Sequence, residues 1–284
     1  MEFFTMWCVP ALVGVVIGVL SGMLGIGGGT VMVPVFRLAF DMSAIASTAT
    51  SLFTIIPTSI SGAVSHLRHK TCILPLGIAC GVGGALTSPV GVWLASISQP
   101  WMIMVAAALI IGYSAVNMLR KALAMGPKKA GRKDSEGSNG AGAASAASSQ
   151  PAADDVFSLS RRQLAIGTAI GLGAGLASGY VGVGGGFIMV PLMLTFIGIP
   201  MKKASGTSLI AVMILAIPGV IEHALLGNIN YIAGIAVAIG TIPGAVLGAN
   251  LVRRVPERAL RFLFGGFLLV AAALLVVNET GVLG

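Results

Sequence analysis

Gly18-Val-Leu-Ser-Gly22-Met-Leu-Gly25-Ile-Gly27-Gly28-Gly29-Thr30-Val-Met-Val-Pro34 returns later in the chain as Gly175-Leu-Ala-Ser-Gly179-Tyr-Val-Gly182-Val-Gly184-Gly185-Gly186-Phe187-Ile-Met-Val-Pro191. Each copy lies between apolar runs, so the same glycine-rich interruption is set twice into a hydrophobic surrounding. The match continues in one register without a gap. Gly14 falls on Gly171, Thr50-Ser51-Leu52 on Thr207-Ser208-Leu209, Gly62 on Gly219, His66 on His223 and Gly91 on Gly248. Chance pairing of glycines would not also reproduce Met-Val-Pro and Thr-Ser-Leu, so the chain is an internal duplication.

Composition identifies the solvent. Mean hydropathy is +0.98 and charged residues make up 9% of the chain, against roughly 25% in an ordinary soluble domain. The apolar runs approach the 17–25 residues a helix needs to cross about 30 Å of hydrocarbon. They are continuous rather than alternating, which argues against a β-barrel. The N-terminal Met1-Glu2-Phe-Phe-Thr-Met-Trp has no basic region before its apolar run, so that run is expected to stay in the fold. Cys8, Cys72 and Cys80 have no metal or redox spacing and read as small packing residues.

The runs fall at 7–24, 30–42, 44–66, 74–95 and 101–119 in the first half, and at 163–182, 187–200, 204–226, 229–251 and 260–277 in the second. Residues 124–160, rich in Ala, Ser, Gly and Lys, have little to bury and read as a disordered linker. The domain plan is therefore a membrane repeat at 1–123, the linker at 124–160, and a second membrane repeat at 161–284.

The formal charge of +8 does not point to nucleic acid, because the basic residues flank the apolar runs. Arg120, Lys121, Lys128, Lys129, Arg161 and Arg162 put the linker in the cytoplasm. Arg68 and Lys70, Lys202 and Lys203, and Arg253, Arg254, Arg258 and Arg261 mark further cytoplasmic segments. Wherever one repeat carries such charge, its counterpart carries none: Leu225 and Gly227, Ile45 and Ala46, and Ser96 and Ile97. All but one of the 17 basic residues then lie on one side. The reading is an all-α, polytopic membrane protein of two inverted homologous repeats, with Gly284 outside. Each repeat has a glycine-interrupted re-entrant or broken-helix hairpin and about three full crossings.

Backbone N–H and C=O groups cannot face lipid, so an irregular loop at membrane depth is buried in protein or lines a wet cavity. The half-helices starting near Thr30 and Phe187 offer unpaired amides and the positive end of a helix dipole. Gly27, Gly28 and Gly29, with Gly184, Gly185 and Gly186, would let an oxyanion approach those amides. Two half-helices pointing inward would make one central anion site. Gly18 and Gly22 are better explained by close helix packing. A dinucleotide-binding reading fails, because no strand precedes the glycines and no acidic residue follows at the required distance.

Other candidates keep two readings each. The hydroxyls of Thr50, Ser51, Thr207 and Ser208 either cap helices or donate to a substrate oxygen. Arg37, the basic exception, either snorkels to the outer interface or contacts the anion. His66, His223 and Glu222 either pack at an interface or take part in gating and proton coupling. No Ser/His/Asp, zinc or paired-carboxylate arrangement supports catalysis, and no cofactor pattern occurs.

With its doubled Gly-x-Gly-Gly-Gly…Val-Pro element, the following Thr-Ser-Leu, and the central loop, the chain resembles the sulfite exporter TauE/SafE family of bacterial membrane permeases. The resemblance covers nearly everything outside the linker. It implies transport of a small sulfur-containing or organic anion, such as sulfite, a sulfonate or sulfoacetate, across the bacterial inner membrane. The partners expected are that anion, the lipid bilayer and a coupling proton or cation. A passive anion channel and a membrane component of sulfur transfer are the alternatives. The first copy departs from the second at Ala49, where the other has Gly206 before Thr-Ser-Leu.

Overall fold

The computed structural model describes residues 2–124 and 160–279. The linker and the C-terminal residue Gly284 thus fall outside or largely outside the described residues. Ten α-helices make up the described chain: α1 Glu2–Leu24, α2 Gly29–Phe40, α3 Ala44–Arg68, α4 Leu74–Ile97, α5 Pro100–Ala124, α6 Arg161–Val181, α7 Gly186–Leu192, α8 Met201–Leu225, α9 Tyr231–Leu251 and α10 Glu257–Glu279. A π-helical turn, Met193–Ile197, continues α7. Pro191 interrupts the amide ladder here, and the Thr195 hydroxyl donates to Pro191 O at 2.6 Å.

Among the described residues, seven helices are long and apolar enough to cross a membrane, including Trp7–Leu24 in α1 and Arg161–Val181 in α6. The first arm of each glycine hairpin is therefore long enough to cross by itself. The second arm is short: α2 has 12 residues, about 18 Å at 1.5 Å per residue. The hairpins are broken helices with unequal arms.

The two halves interlock. α1 runs parallel to α9, and its counterpart α6 runs parallel to α4. A β-carbon at Gly14, Gly18 or Gly22 would lie 2.4, 2.4 or 2.1 Å from the carbonyl oxygens of Val237, Thr241 and Ala245. Gly171, Gly175 and Gly179 repeat this at 2.0, 2.1 and 2.1 Å from the carbonyls of Cys80, Gly84 and Ser88. The spacing of four puts each glycine set on one helix face and lets the backbones touch, the small-residue packing that dispersion favours where lipid removes the hydrophobic drive. This agrees with the packing role expected for Gly18 and Gly22.

At the centre, α3 packs against α8. Leu209 Cδ1 is 2.9 Å from a β-carbon built at Gly62, and Leu52 Cδ1 is 3.5 Å from one built at Gly219. Rising numbers in α3 meet falling numbers in α8, so these two equivalent helices are antiparallel.

Candidate substrate site at the glycine loops

Two loops join α1 to α2 and α6 to α7, and both reach the middle of the α3–α8 pair. Gly28 (φ +88°) and Gly185 (φ +66°) cap α2 and α7 from left-handed backbone that a side chain would strain. The helices begin at Gly29 and Gly186, within a residue of the expected Thr30 and Phe187.

The loops touch each other backbone to backbone. A β-carbon at Gly29 would lie 2.4 Å from Val183 O, and one at Gly186 would lie 2.4 Å from Gly25 O and 2.9 Å from Ile26 Cα. Ile55 and Val212, an equivalent pair, flank the junction. Val212 Cγ1 lies 2.8 Å from a β-carbon at Gly27, and Ile55 Cδ1 lies 2.8 Å from one at Gly184. The structure thus brings the two glycine elements together, but with aliphatic side chains beside them and no gap between their backbones.

The two loops differ in polarity, which the duplication hides. Thr30, Ser21 and Ser59 are buried at the first loop, each with a hydroxyl that lacks a hydrogen-bond partner among the described residues. Ser59 Oγ is 3.4 Å from the β-carbon position of Gly27, and Ser21 Cβ is 3.5 Å from that of Gly28. No carbonyl among the described residues accepts from the amides of Gly27, Gly28 or Gly29 at the first loop, nor from those of Gly184 or Gly185 at the second, where the Gly186 amide donates to Gly184 O at 2.8 Å. At the second loop Phe187 stands for Thr30 and Ala216 for Ser59, and both are fully buried. Ser178, the counterpart of Ser21, keeps an unpartnered hydroxyl. Unpaired buried donors are costly, about 1–3 kcal/mol each, and the first loop has more of them than the second, because Thr30 and Ser59 add to the shared serine.

The hydroxyls singled out in sequence divide by role. Thr50 Oγ1 accepts from the Asn230 amide at 3.0 Å, and Thr207 Oγ1 accepts from the Ile73 amide at 2.9 Å. Asn230 and Ile73 are the N-caps of α9 and α4. Each threonine therefore secures the entry of a helix in or beside the opposite half, satisfying an orphan amide there. The Ser208 hydroxyl donates to Gly25 O at 2.6 Å and steadies the first loop. Its counterpart Ser51 is buried with an unpartnered hydroxyl. Thr48 Oγ1 donates to Val181 O at 3.3 Å beside the second loop.

His66 and His223 sit at opposite ends of the α3–α8 pair. Nε2 of His66 donates to Gly22 O at 2.8 Å, and Nδ1 lies 2.7 Å from Thr71 Oγ1. A β-carbon at Gly206 would approach Thr71 O to 2.4 Å and His66 Nδ1 to 2.8 Å, which explains why glycine replaces the Ala49 of the other copy. His223 is equally deep, but its Nε2 has no partner among the described residues and its Nδ1 is 3.5 Å from Asn228 Nδ2. A cavity of about 30 Å³ opens beside it, bounded by Thr48, Val92 and Asn228. Glu222 is partly exposed, with Oε2 buried and unpartnered. Arg37 lies in the last turn of α2, where a cation favours the helix dipole. Cys80 is buried, Cys8 is exposed and Cys72 lies between these extremes. Burial pushes the Cys72 thiol up from its ordinary value, so its thiolate is scarce at neutral pH.

The family model described as sulfite exporter TauE/SafE matches residues 10–275. The chain belongs to the TauE/SafE family. Probable membrane transporter protein YunE of Bacillus subtilis is 25% identical over 256 residues, covering 88% of this chain and 89% of that protein. YdhB of the same organism is 26% identical, covering 88% and 92%. A probable membrane transporter protein of Haemophilus influenzae is 28% identical, covering 95% and 97%. No solved structure matches. The chain is a multi-pass membrane protein of a transporter family, not of an enzyme family.

Of the polar groups at the first loop, sequence reasoning identified Thr30 but not Ser21 or Ser59. Ser21 lay visible inside the repeated element, as Ser178 did. Ser59 carried no signal, because its counterpart is alanine.

Proposed function

We propose that this TauE/SafE protein is a secondary transporter that moves a small sulfur-containing or organic anion, of the sulfite, sulfonate or sulfoacetate kind, across the bacterial inner membrane. The observation that carries this reading is the cluster of unpartnered donors at the first glycine loop, halfway along two membrane-crossing helices. Free amides of Gly27–Gly29 at the start of α2, with Thr30 and Ser59, form a donor set suited to an oxyanion. Gly184–Gly186 and Phe187 act chiefly as the packed counterpart that positions it. Ile55 and Val212 shield the donors, so substrate entry requires α3 and α8 to move apart, which fits alternating access.

The inverted arrangement is part of the same proposal. It is supported by the antiparallel packing of the equivalent helices α3 and α8 and by the one-sided distribution of basic residues. Reporter fusions should place Gly284 outside and residues 126–158 inside; a cytoplasmic C-terminus would overturn it.

Purified protein in liposomes should show saturable flux of at least one anion from a sulfite, sulfonate and sulfoacetate panel. Dependence of that flux on a proton or cation gradient identifies the coupled carrier. Flux that rises linearly with concentration would make the protein a channel. Absence of flux across the panel would overturn the substrate class.

A further inference from the structure

The basic residues at one end of α3 and α9 do more than flank a membrane segment: they converge. The His69 Nε2 hydrogen bonds to Asn250 Oδ1, and a guanidinium nitrogen of Arg253 lies 3.1 Å from His69 Nδ1. Since the amide oxygen can only accept, Nε2 carries the proton and Nδ1 accepts from Arg253. Lys202 Nζ donates to Arg253 O at 2.9 Å. This bridge stands between two clefts that share Asn250. One, of about 630 Å³, holds Arg253 and Arg254 with Leu247 and Leu251. The other, of about 440 Å³, holds Arg68 and His69 with Val64 and Val246. Arg68 and Arg254 are exposed, and neither forms an ion pair among the described residues.

An apolar track leads away from these charges. Ile60 and Val64 lie two turns and one turn before Arg68 on α3, and Val246 and Leu247 lie on the neighbouring α9; all four are exposed. The fold does not need the charge at this corner. Its counterpart in the other repeat is built from Trp93, Ser96, Ile97, Leu225 and Leu226.

We propose that this corner is a binding site for an anionic phospholipid, with the headgroup phosphate held by Arg68, Arg253 and Arg254 and the acyl chains lying along the α3–α9 track. Guanidinium groups match phosphate oxygens in a bidentate fork, and basic pockets between membrane helices take anionic headgroups. The apolar track selects a lipid over a free phosphate ion. A purely topogenic role would require positive charge near the membrane, not its convergence on two joined clefts.

The test is native mass spectrometry of the intact protein in mild detergent, titrated separately with phosphatidylglycerol, cardiolipin, phosphatidylcholine and inorganic phosphate. Phosphatidylglycerol and cardiolipin should bind at least tenfold more tightly than phosphatidylcholine. Arg68→Gln with Arg254→Gln should remove that difference while leaving phosphatidylcholine binding unchanged. If the double variant is not monodisperse, Arg254→Gln alone should weaken the anionic lipids at least threefold. Equal retention of the lipids, undiminished binding in the variants, or inorganic phosphate binding as tightly as phosphatidylglycerol would each overturn the proposal. No outcome depends on transport, so failure here is separate from failure of the proposed function.

Discussion

Replacing Gly186 by alanine should abolish transport and destabilise the protein by about 3 kcal/mol, a fall in Tm of roughly 10 °C. The new methyl would meet Gly25 O at 2.4 Å and the Ile26 backbone at 2.9 Å. No flexible side chain is present there to give way. Relief requires the two loops to separate, and both are anchored: the first by Ser208 at Gly25 O, the second by Thr48 at Val181 O. Gly173→Ala is the matched control. A β-carbon at Gly173 meets nothing within 4 Å, and alanine gains up to about 1 kcal/mol of helix propensity over glycine. That variant should keep wild-type flux and an equal or higher Tm. Thermal melts and proteoliposome flux, measured together, check both. Wild-type values for Gly186→Ala would mean that the loops do not meet as described.

Thr30→Val combined with Ser59→Ala should raise KM for the anion on the order of 100-fold while leaving Tm unchanged or higher. The opposite signs follow from the same fact. Both hydroxyls are buried without partners, so removing them takes away an unsatisfied polar group and costs the fold nothing. Hydrogen bonds to a charged group contribute roughly 1.5–3 kcal/mol each, and every 1.4 kcal/mol is about tenfold in affinity. Each single change should therefore raise KM about tenfold. The other repeat already places Phe187 and Ala216 at these positions, so an apolar residue is compatible with the backbone. An unchanged KM would remove the first loop from the substrate site; a large fall in Tm would give the hydroxyls a structural role instead.

The contrast between the repeats also shows where reading by symmetry misleads. The aligned pairs Thr50/Thr207 and Ser51/Ser208 look like matched site residues in sequence. In space the threonines cap helix entries, Ser208 holds a loop, and Ser51 is left unpaired. Likewise the aligned histidines part company, His66 fixed between Gly22 and Thr71 and His223 open at Nε2. A duplicated backbone keeps its packing positions, such as Gly14, Gly18 and Gly22, because a β-carbon there strikes backbone. Positions that face one another across the halves can diverge as soon as one copy takes on a task the other does not need.

Sequence by itself determined the solvent, the helical class, the duplication and the depth-breaking glycine loops. Each of these follows from local rules: hydrocarbon cannot satisfy a free backbone amide, and a helix must be about 20 residues long to cross. Charge placement added the expectation that the basic residues share one side of the membrane. Only the tertiary structure decided that the loops meet backbone to backbone, that Ile55 and Val212 shield them, and that Thr30 and Ser59 give the first loop two unpartnered hydroxyls that Phe187 and Ala216 deny the second. Those properties arise from partners far apart in the chain, such as Gly25 with Ser208 and Thr50 with Asn230. Neither hydropathy nor periodicity carries information about which distant group will satisfy a given hydroxyl, and here that determines which half of the doubled element keeps more unpartnered donors.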